Sequence, residues 1–205
     1  MTDRRDHWNS TYTQKPSDRM SWYLPRLATS LALIDRFGPT APFRIIDVGG
    51  GASRLVDDLS ARDGVHVTVL DIADAALQVS RERLGDRADA VTWLEADVTT
   101  VQLEPASVEI WHDRAVFHFL TDPADRKAYV ATMRHALAPG GLAVIATFSL
   151  DGPVKCSNLP VVRYSADALA EALGEPFELL HAEDELHHTP SGGQQAFLYA
   201  AFRRR

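Results

Sequence analysis

A chain of 205 residues can bury one domain with a sizeable core and is too short for two of ordinary size. Its composition is globular (45% hydrophobic, 24% charged), and its net charge of −7 with basic clustering only at Arg203, Arg204 and Arg205 argues against a nucleic-acid partner, which needs a basic stripe. The single cysteine, Cys156, rules out an intrachain disulfide or a cysteine-built zinc cluster. No apolar run approaches a membrane span and MTDRRDHWNS lacks a signal-peptide core, so the expectation is a cytoplasmic protein with no membrane partner.

Residues 7–24, HWNSTYTQKPSDRMSWYL, are polar and aromatic without clear periodicity. Residues 1–24 therefore read as an arm with one short helix, followed by a single domain over 25–205. Pro25 suits the first turn of a helix with Leu27, Leu31, Ile34 and Phe37 on one stripe, ended by Gly38-Pro39. From Phe43 onward strands and helices alternate. FRIIDV reads as a buried strand and 53–62 as a helix; VHVTVLD as a strand ending at Asp71, then a helix with Ala75, Ala76, Leu77, Val79 and Leu84. AVTWLEAD and SVEIWHD are a third and a fourth strand, ending at Asp97 and Asp113. A helix capped by Asp122, with Pro123 at its first position, runs to the stop at Pro139-Gly140-Gly141. LAVIATF is a fifth strand and 165–173 a helix. FELLHAEDEL and QAFLYAAF close the chain as a hairpin turning at Gly192-Gly193. The pattern predicts an α/β, Rossmann-like, doubly wound sheet of seven strands, mostly parallel with a C-terminal antiparallel hairpin.

The chemistry should sit at the stretch IIDVGGGASRLVDDL. Glycines at Gly49, Gly50 and Gly51 let the backbone approach a ligand closely, and a helix N-terminus behind them offers free N–H groups. Asp71 closes the second strand about 20 residues later, where an acid can accept hydrogen bonds from ribose hydroxyls. This much fits NAD and other adenosine ligands equally. A G-x-G-x-x-G fingerprint, however, would need glycine at 54, where the chain has Arg54, and no phosphate-binding G-x-x-x-x-G-K-[ST] loop is present. Asp47, Asp71, Asp97 and Asp113 end or flank successive strands. Each alone could be a turn or cap residue; together, at the carboxyl ends of a parallel sheet, they would face one crevice. Such acceptors suit an amine, a ribose diol and an adenine amino group better than a pyrophosphate.

With these motifs the chain resembles class I S-adenosylmethionine-dependent methyltransferases. The likeness rests on DVGGGAS, LDI at 70–72, EADV at 95–98 and LAPGG at 137–141, with Ser53 where many members carry a third glycine. It is similar to the bacterial group of citrate synthase and elongation factor lysine methyltransferases, and HDRAVFHFL at 112–120 resembles the WDR-type motif of thiopurine and tellurite methyltransferases. The resemblance implies S-adenosyl-L-methionine as cofactor. Asp47 and the Gly49–Gly51 turn would line its methionine moiety, Asp71 would take the ribose hydroxyls, Ile72 would pack on adenine, and Asp97 with Val98 would hold the adenine amine.

Trp8, Tyr12 and Trp22 in the arm read either as a hydrophobic flap or as a lid excluding water from a sulfonium centre, the lid slightly favoured. Asp113 and His118, following the fourth strand, are expected to line the acceptor side as catalytic residues, with Arg114 either orienting substrate or pairing with Asp113. His112, His118, His187 and His188 lack the spacing of a ligand set, so no metal is expected. Cys156 reads as a small buried hydrophobe. The leading expectation is methyl transfer to a small-molecule acceptor, a soft nucleophile or small acid. The alternatives are a protein lysine methyltransferase, an NAD-dependent oxidoreductase and a non-catalytic binding domain.

Overall fold

Strand β1 (Phe43–Val48) is buried at every position but Arg44, because it lies at the middle of the sheet with helices on both faces. Successive residues point to opposite layers: Ile45 joins one apolar cluster and Ile46 the other. The computed structural model, which describes residues 4–205, places around β1 the strands β2 (Val65–Asp71), β3 (Thr92–Glu95), β4 (Val108–Arg114), β5 (Leu137–Phe148), β8 (Phe177–His188) and β9 (Gln194–Arg204). Their order is β3-β2-β1-β4-β5-β9-β8. The first five are parallel; β9 is antiparallel to both β5 and β8. This is the doubly wound, seven-stranded sheet with a C-terminal hairpin that the sequence predicts. A two-stranded ribbon, β6 (Lys155–Cys156) with β7 (Leu159–Pro160), lies apart from it.

One layer is covered by α2 (Ala28–Phe37), α3 (Leu55–Leu59) and α4 (Asp74–Leu84), which bury Leu31, Ile34, Val56, Leu59 and Leu77. The other is covered by α5 (Pro123–Ala136) and α6 (Ala166–Leu173), through Tyr129, Met133, Leu169 and Leu173. Asp122 caps α5 as expected, its side chain accepting from Ala124 N at 2.8 Å with Pro123 behind it. Three helices depart from the sequence reading. α5 ends at Ala136, and Pro139-Gly140-Gly141 lies inside β5 instead of stopping the helix. α2 starts at Ala28, so Pro25 lies ahead of it; the first helical bond runs from Leu31 N to Leu27 O. α3 has five residues, not the predicted 53–62 span. Arg62 N–H bonds Leu59 O, tightening the chain into the turn that Gly64 completes at φ +74.

The arm is more ordered than its lack of periodicity suggests. α1 (Arg4–Gln14) is a helix with no buried residue, so its position comes from directed contacts. Arg4 pairs with Asp125 and approaches Asp97 at 3.8 Å, Arg5 meets Glu95 at 3.0 Å, and Asn9 Oδ1 accepts from Ala75 N at 3.1 Å. On its inner side Trp8 stacks edge-on with Phe119 and Trp22, ring centres 5.0 and 5.8 Å apart. Exposed ion pairs contribute little each. Deleting residues 1–14 should therefore leave a cooperatively folded sheet, with a melting midpoint lowered by no more than about 5 °C. Loss of the transition in calorimetry would show the arm to be part of the core.

Candidate functional site

The turn after β1 is built by what lies beneath it. Gly49 sits at φ +64, and a Cβ there would come within 2.0 Å of Val116 Cγ2, so no other residue fits. Asp71, at the end of β2, reaches under the turn: its Oδ2 accepts from Gly51 N at 3.1 Å and its Oδ1 from Ala73 N at 2.9 Å. Burial pushes the Asp71 carboxyl up to about 6, against the pull of those two N–H donors, and the charge of Asp47 raises it further. Asp47 is 1% exposed; its Oδ1 lies 2.7 Å from His112 Nδ1, and its Oδ2 has no partner.

From this turn a crevice opens along the carboxyl ends of the strands. Trp8, Tyr12, Trp22, Gly49, Asp71, Ile72, Asp97 and Val98 share its main chamber. Asp47 and Gly50 line an adjoining recess together with Tyr12, Trp22 and Gly49. Gly51 lies behind, within the turn. Asp97 is turned partly inward, its Oδ1 held by Thr99 N at 2.8 Å and Thr99 Oγ1 at 2.7 Å. Thus the residues singled out for a cofactor, Gly51 excepted, line one crevice, arm included.

It does not bring Asp113 and His118 to the wall. Strand alternation turns Asp113 toward the layer of α5, where it is fully buried. Its Oδ1 accepts from Val116 N at 2.9 Å, and its Oδ2 from Phe117 N at 3.1 Å and Tyr129 Oη at 2.6 Å. Burial lifts its carboxyl to about 6, with the Tyr129 bond opposing. Asp113 thereby fixes the turn whose Val116 and Phe119 form the crevice wall. His118 is also fully buried, packed between Phe119 and Phe148; its Nδ1 accepts from Phe148 N at 3.3 Å. Burial, with Arg114 adding to it, lowers its pKa to about 3, so the ring is neutral. Neither group is placed to take a proton from an acceptor.

Alternation sends Arg114 the other way, into both chambers. Its Nε donates to Tyr199 Oη at 2.7 Å and its Nη1 to Trp22 O at 2.8 Å, and its plane lies 4.5 Å from the centre of the Phe197 ring. It pairs with no carboxylate among the described residues, Asp113 included, and its buried Nη2 has no hydrogen-bond partner. Phe119, Val116 and Cys156 also line the chamber; they stand on loops, for which the sequence pattern gives no face. Burial raises the Cys156 thiol to about 11, so it stays protonated. No three His, Cys, Asp or Glu side chains converge as a metal site among the described residues, and no helix there is long and apolar enough to cross a membrane.

The residues present fit an adenosyl sulfonium better than a dinucleotide. Two carboxylates lie under the glycine turn, where a pyrophosphate would be repelled, and the unpartnered Asp47 oxygen calls for a donor. Fold and crevice together define an α/β protein with a Rossmann-like sheet and a ligand crevice at the carboxyl ends of its parallel strands. Residues 45–141 match a methyltransferase domain family. It is 36% identical over 138 residues to the ubiquinone/menaquinone biosynthesis C-methyltransferase of Methylobacterium nodulans, covering 65% of this chain and 53% of that one. The chain thus spans about half the length of the curated relatives it matches. Two solved structures share the fold. The Burkholderia thailandensis 1,6-didemethyltoxoflavin-N1-methyltransferase, bound to its substrate and S-adenosylhomocysteine, gives TM-score 0.69 at 20% identity over 98% of this chain and 83% of that one. The Haemonchus contortus N-methyltransferase 2, complexed with phosphomonomethylethanolamine and S-adenosylhomocysteine, gives TM-score 0.76 at 17% identity over 100% of this chain and 60% of that one.

The placement of Asp113 makes a stability prediction. Asp113→Ala strands the Tyr129 hydroxyl and two backbone donors, and should cost about 2–4 kcal/mol in denaturant unfolding. S-adenosylhomocysteine affinity of the folded fraction should stay within about threefold of wild type, a difference of under ~1 kcal/mol. A stable variant with lost turnover would return Asp113 to the reacting centre.

Proposed function

We propose that the protein transfers a methyl group from S-adenosyl-L-methionine to a small, anionic acceptor. The cofactor supplies a methyl carbon on a positively charged sulfur, open to in-line attack. Asp47 would take its ammonium, Asp71 its ribose diol, and Asp97 with Val98 its adenine edge, against the side chain of Ile72. The arm, through Trp8, Tyr12 and Trp22, would act as a lid that excludes water while the acceptor is held in line.

The chain's own residues narrow the acceptor. A lysine must lose a proton before attack, since its unperturbed pKa is about 10.4. With Asp113 engaged by three donors and His118 neutral behind the wall, neither serves as the base for that step. The acceptor must bring its own nucleophile, which suits a soft atom or an acid of small size under the arm. The observation that carries the reading is Arg114: a guanidinium without a carboxylate partner among the described residues, whose Nη2 has a hydrogen bond left to give. An acceptor carboxylate or phosphate would complete it. A cytoplasmic setting fits the single, protonated Cys156.

The test is a panel of acceptors paired as acid and neutral amide, followed by release of S-adenosylhomocysteine. A hydrogen bond to a charged group is worth ~1.5–3 kcal/mol, so kcat/KM should favour the acids by about tenfold or more. Arg114→Gln should erase that preference and cost the acceptor more than the cofactor. If acid and amide are used alike, or if the variant loses S-adenosylhomocysteine affinity and keeps the acid preference, the anionic acceptor is wrong and Arg114 serves the cofactor.

A further inference from the structure

Asp47 and His112 are register partners on adjacent parallel strands, so their side chains stand on the same face of the sheet. Both are nearly sealed from solvent, at 1% and 0% exposure, and so is Ser30 on α2 at 0%. The three form a chain: Asp47 Oδ1 to His112 Nδ1 at 2.7 Å, then His112 Nε2 to Ser30 Oγ at 2.8 Å. The contrast with Asp113 is informative. That carboxylate, equally buried, has both oxygens satisfied by three donors. Asp47 is satisfied at one oxygen only; Oδ2 has no partner and is covered by the turn, so close that a Cβ on Gly50 would lie 2.4 Å from it. A carboxylate with a purely structural task would not leave one oxygen bare at so buried a site. Asp47 lines the recess that also holds Gly49, Ser53 and Trp22.

We propose that His112 is a positioning residue for cofactor binding, holding Asp47 from behind so that Oδ2 accepts a hydrogen bond from the α-ammonium of the cofactor's amino-acid end. The inference rests on the cofactor reading above. Ser30 donates its hydroxyl proton to Nε2, which leaves the ring proton on Nδ1 to be donated to Oδ1 of Asp47. The carboxylate is then fixed in rotation, with its second oxygen aimed away from the histidine. Because Ser30 belongs to α2, the chain also ties the helix that follows the arm to the middle of the sheet.

Two probes separate this role from a structural one. S-adenosylhomocysteine carries the ammonium; 5′-methylthioadenosine is the same nucleoside thioether without the amino-acid end. In calorimetric or competition titrations, His112→Leu should weaken S-adenosylhomocysteine at least tenfold and leave 5′-methylthioadenosine within twofold. His112→Asn, which can still donate to Asp47, should recover most of the loss. Ser30→Ala should give a smaller loss, two- to fivefold, again on S-adenosylhomocysteine alone, and it carries the test should His112→Leu fail to fold. Equal weakening of both probes, or of neither, would overturn the positioning role. Wild-type protein that binds neither probe would overturn the cofactor reading, and this proposal with it.

Discussion

Two carboxylates meet beneath one turn of backbone, and the rest of the crevice is arranged around that fact. Asp71 reaches from β2 to the N–H of Gly51, and Asp47 lies under Gly50 at the end of β1. Both are nearly inaccessible to solvent, so each oxygen must be matched by a donor or remain costly. The turn can exist only with small residues, because the space a side chain would need is already occupied by acids and by Val116. An acidic floor under a glycine turn repels phosphates and attracts cations and hydroxyls. It is the electrostatic opposite of the basic or neutral cradle that holds a pyrophosphate.

Around this floor the wall is assembled from three unrelated parts of the chain. The arm contributes an aromatic roof, fastened by Arg4 to α5, by Arg5 to the end of β3 and by Asn9 to the first turn of α4. The turn after β4 contributes Val116 and Phe119 and is itself held by Asp113. The hairpin β8–β9 contributes indirectly: Tyr199 and Phe197 hold and cover the Arg114 guanidinium. Beside the bond to Trp22 O, the hairpin supplies the other two contacts that orient the arginine, which gives the antiparallel end of the sheet a part in the site.

Most of the architecture was legible in the sequence because buried parallel strands read as apolar runs and their ends are marked by Gly and Asp. β1, β2 and β5, and the terminal hairpin, follow from those marks. The grouping of Asp47, Gly49, Asp71, Ile72 and Asp97 in one crevice follows from the rule that ligands sit at the carboxyl ends of such sheets. The rule gives the end of the strand but not its face, and this is why Asp113 was read as a site group while its neighbour Arg114 enters the crevice. His118 misled for a related reason: a polar residue in an apolar stretch is as often a satisfied core histidine as a functional one, and only the contact with Phe148 N distinguishes them. The helix in the arm has no apolar stripe to announce it, since its place is set by ion pairs with distant residues.

The measurement that bears most directly on the acidic turn is the melting midpoint with two nucleotides of opposite character. S-adenosylhomocysteine at about 100 times its Kd should stabilise the protein by ~2.7 kcal/mol, which for a domain of this size is about 5–11 °C. NADH at the same concentration should leave the midpoint unmoved, because its pyrophosphate would face Asp47 and Asp71. A rise with NADH and none with S-adenosylhomocysteine would contradict the account at its foundation.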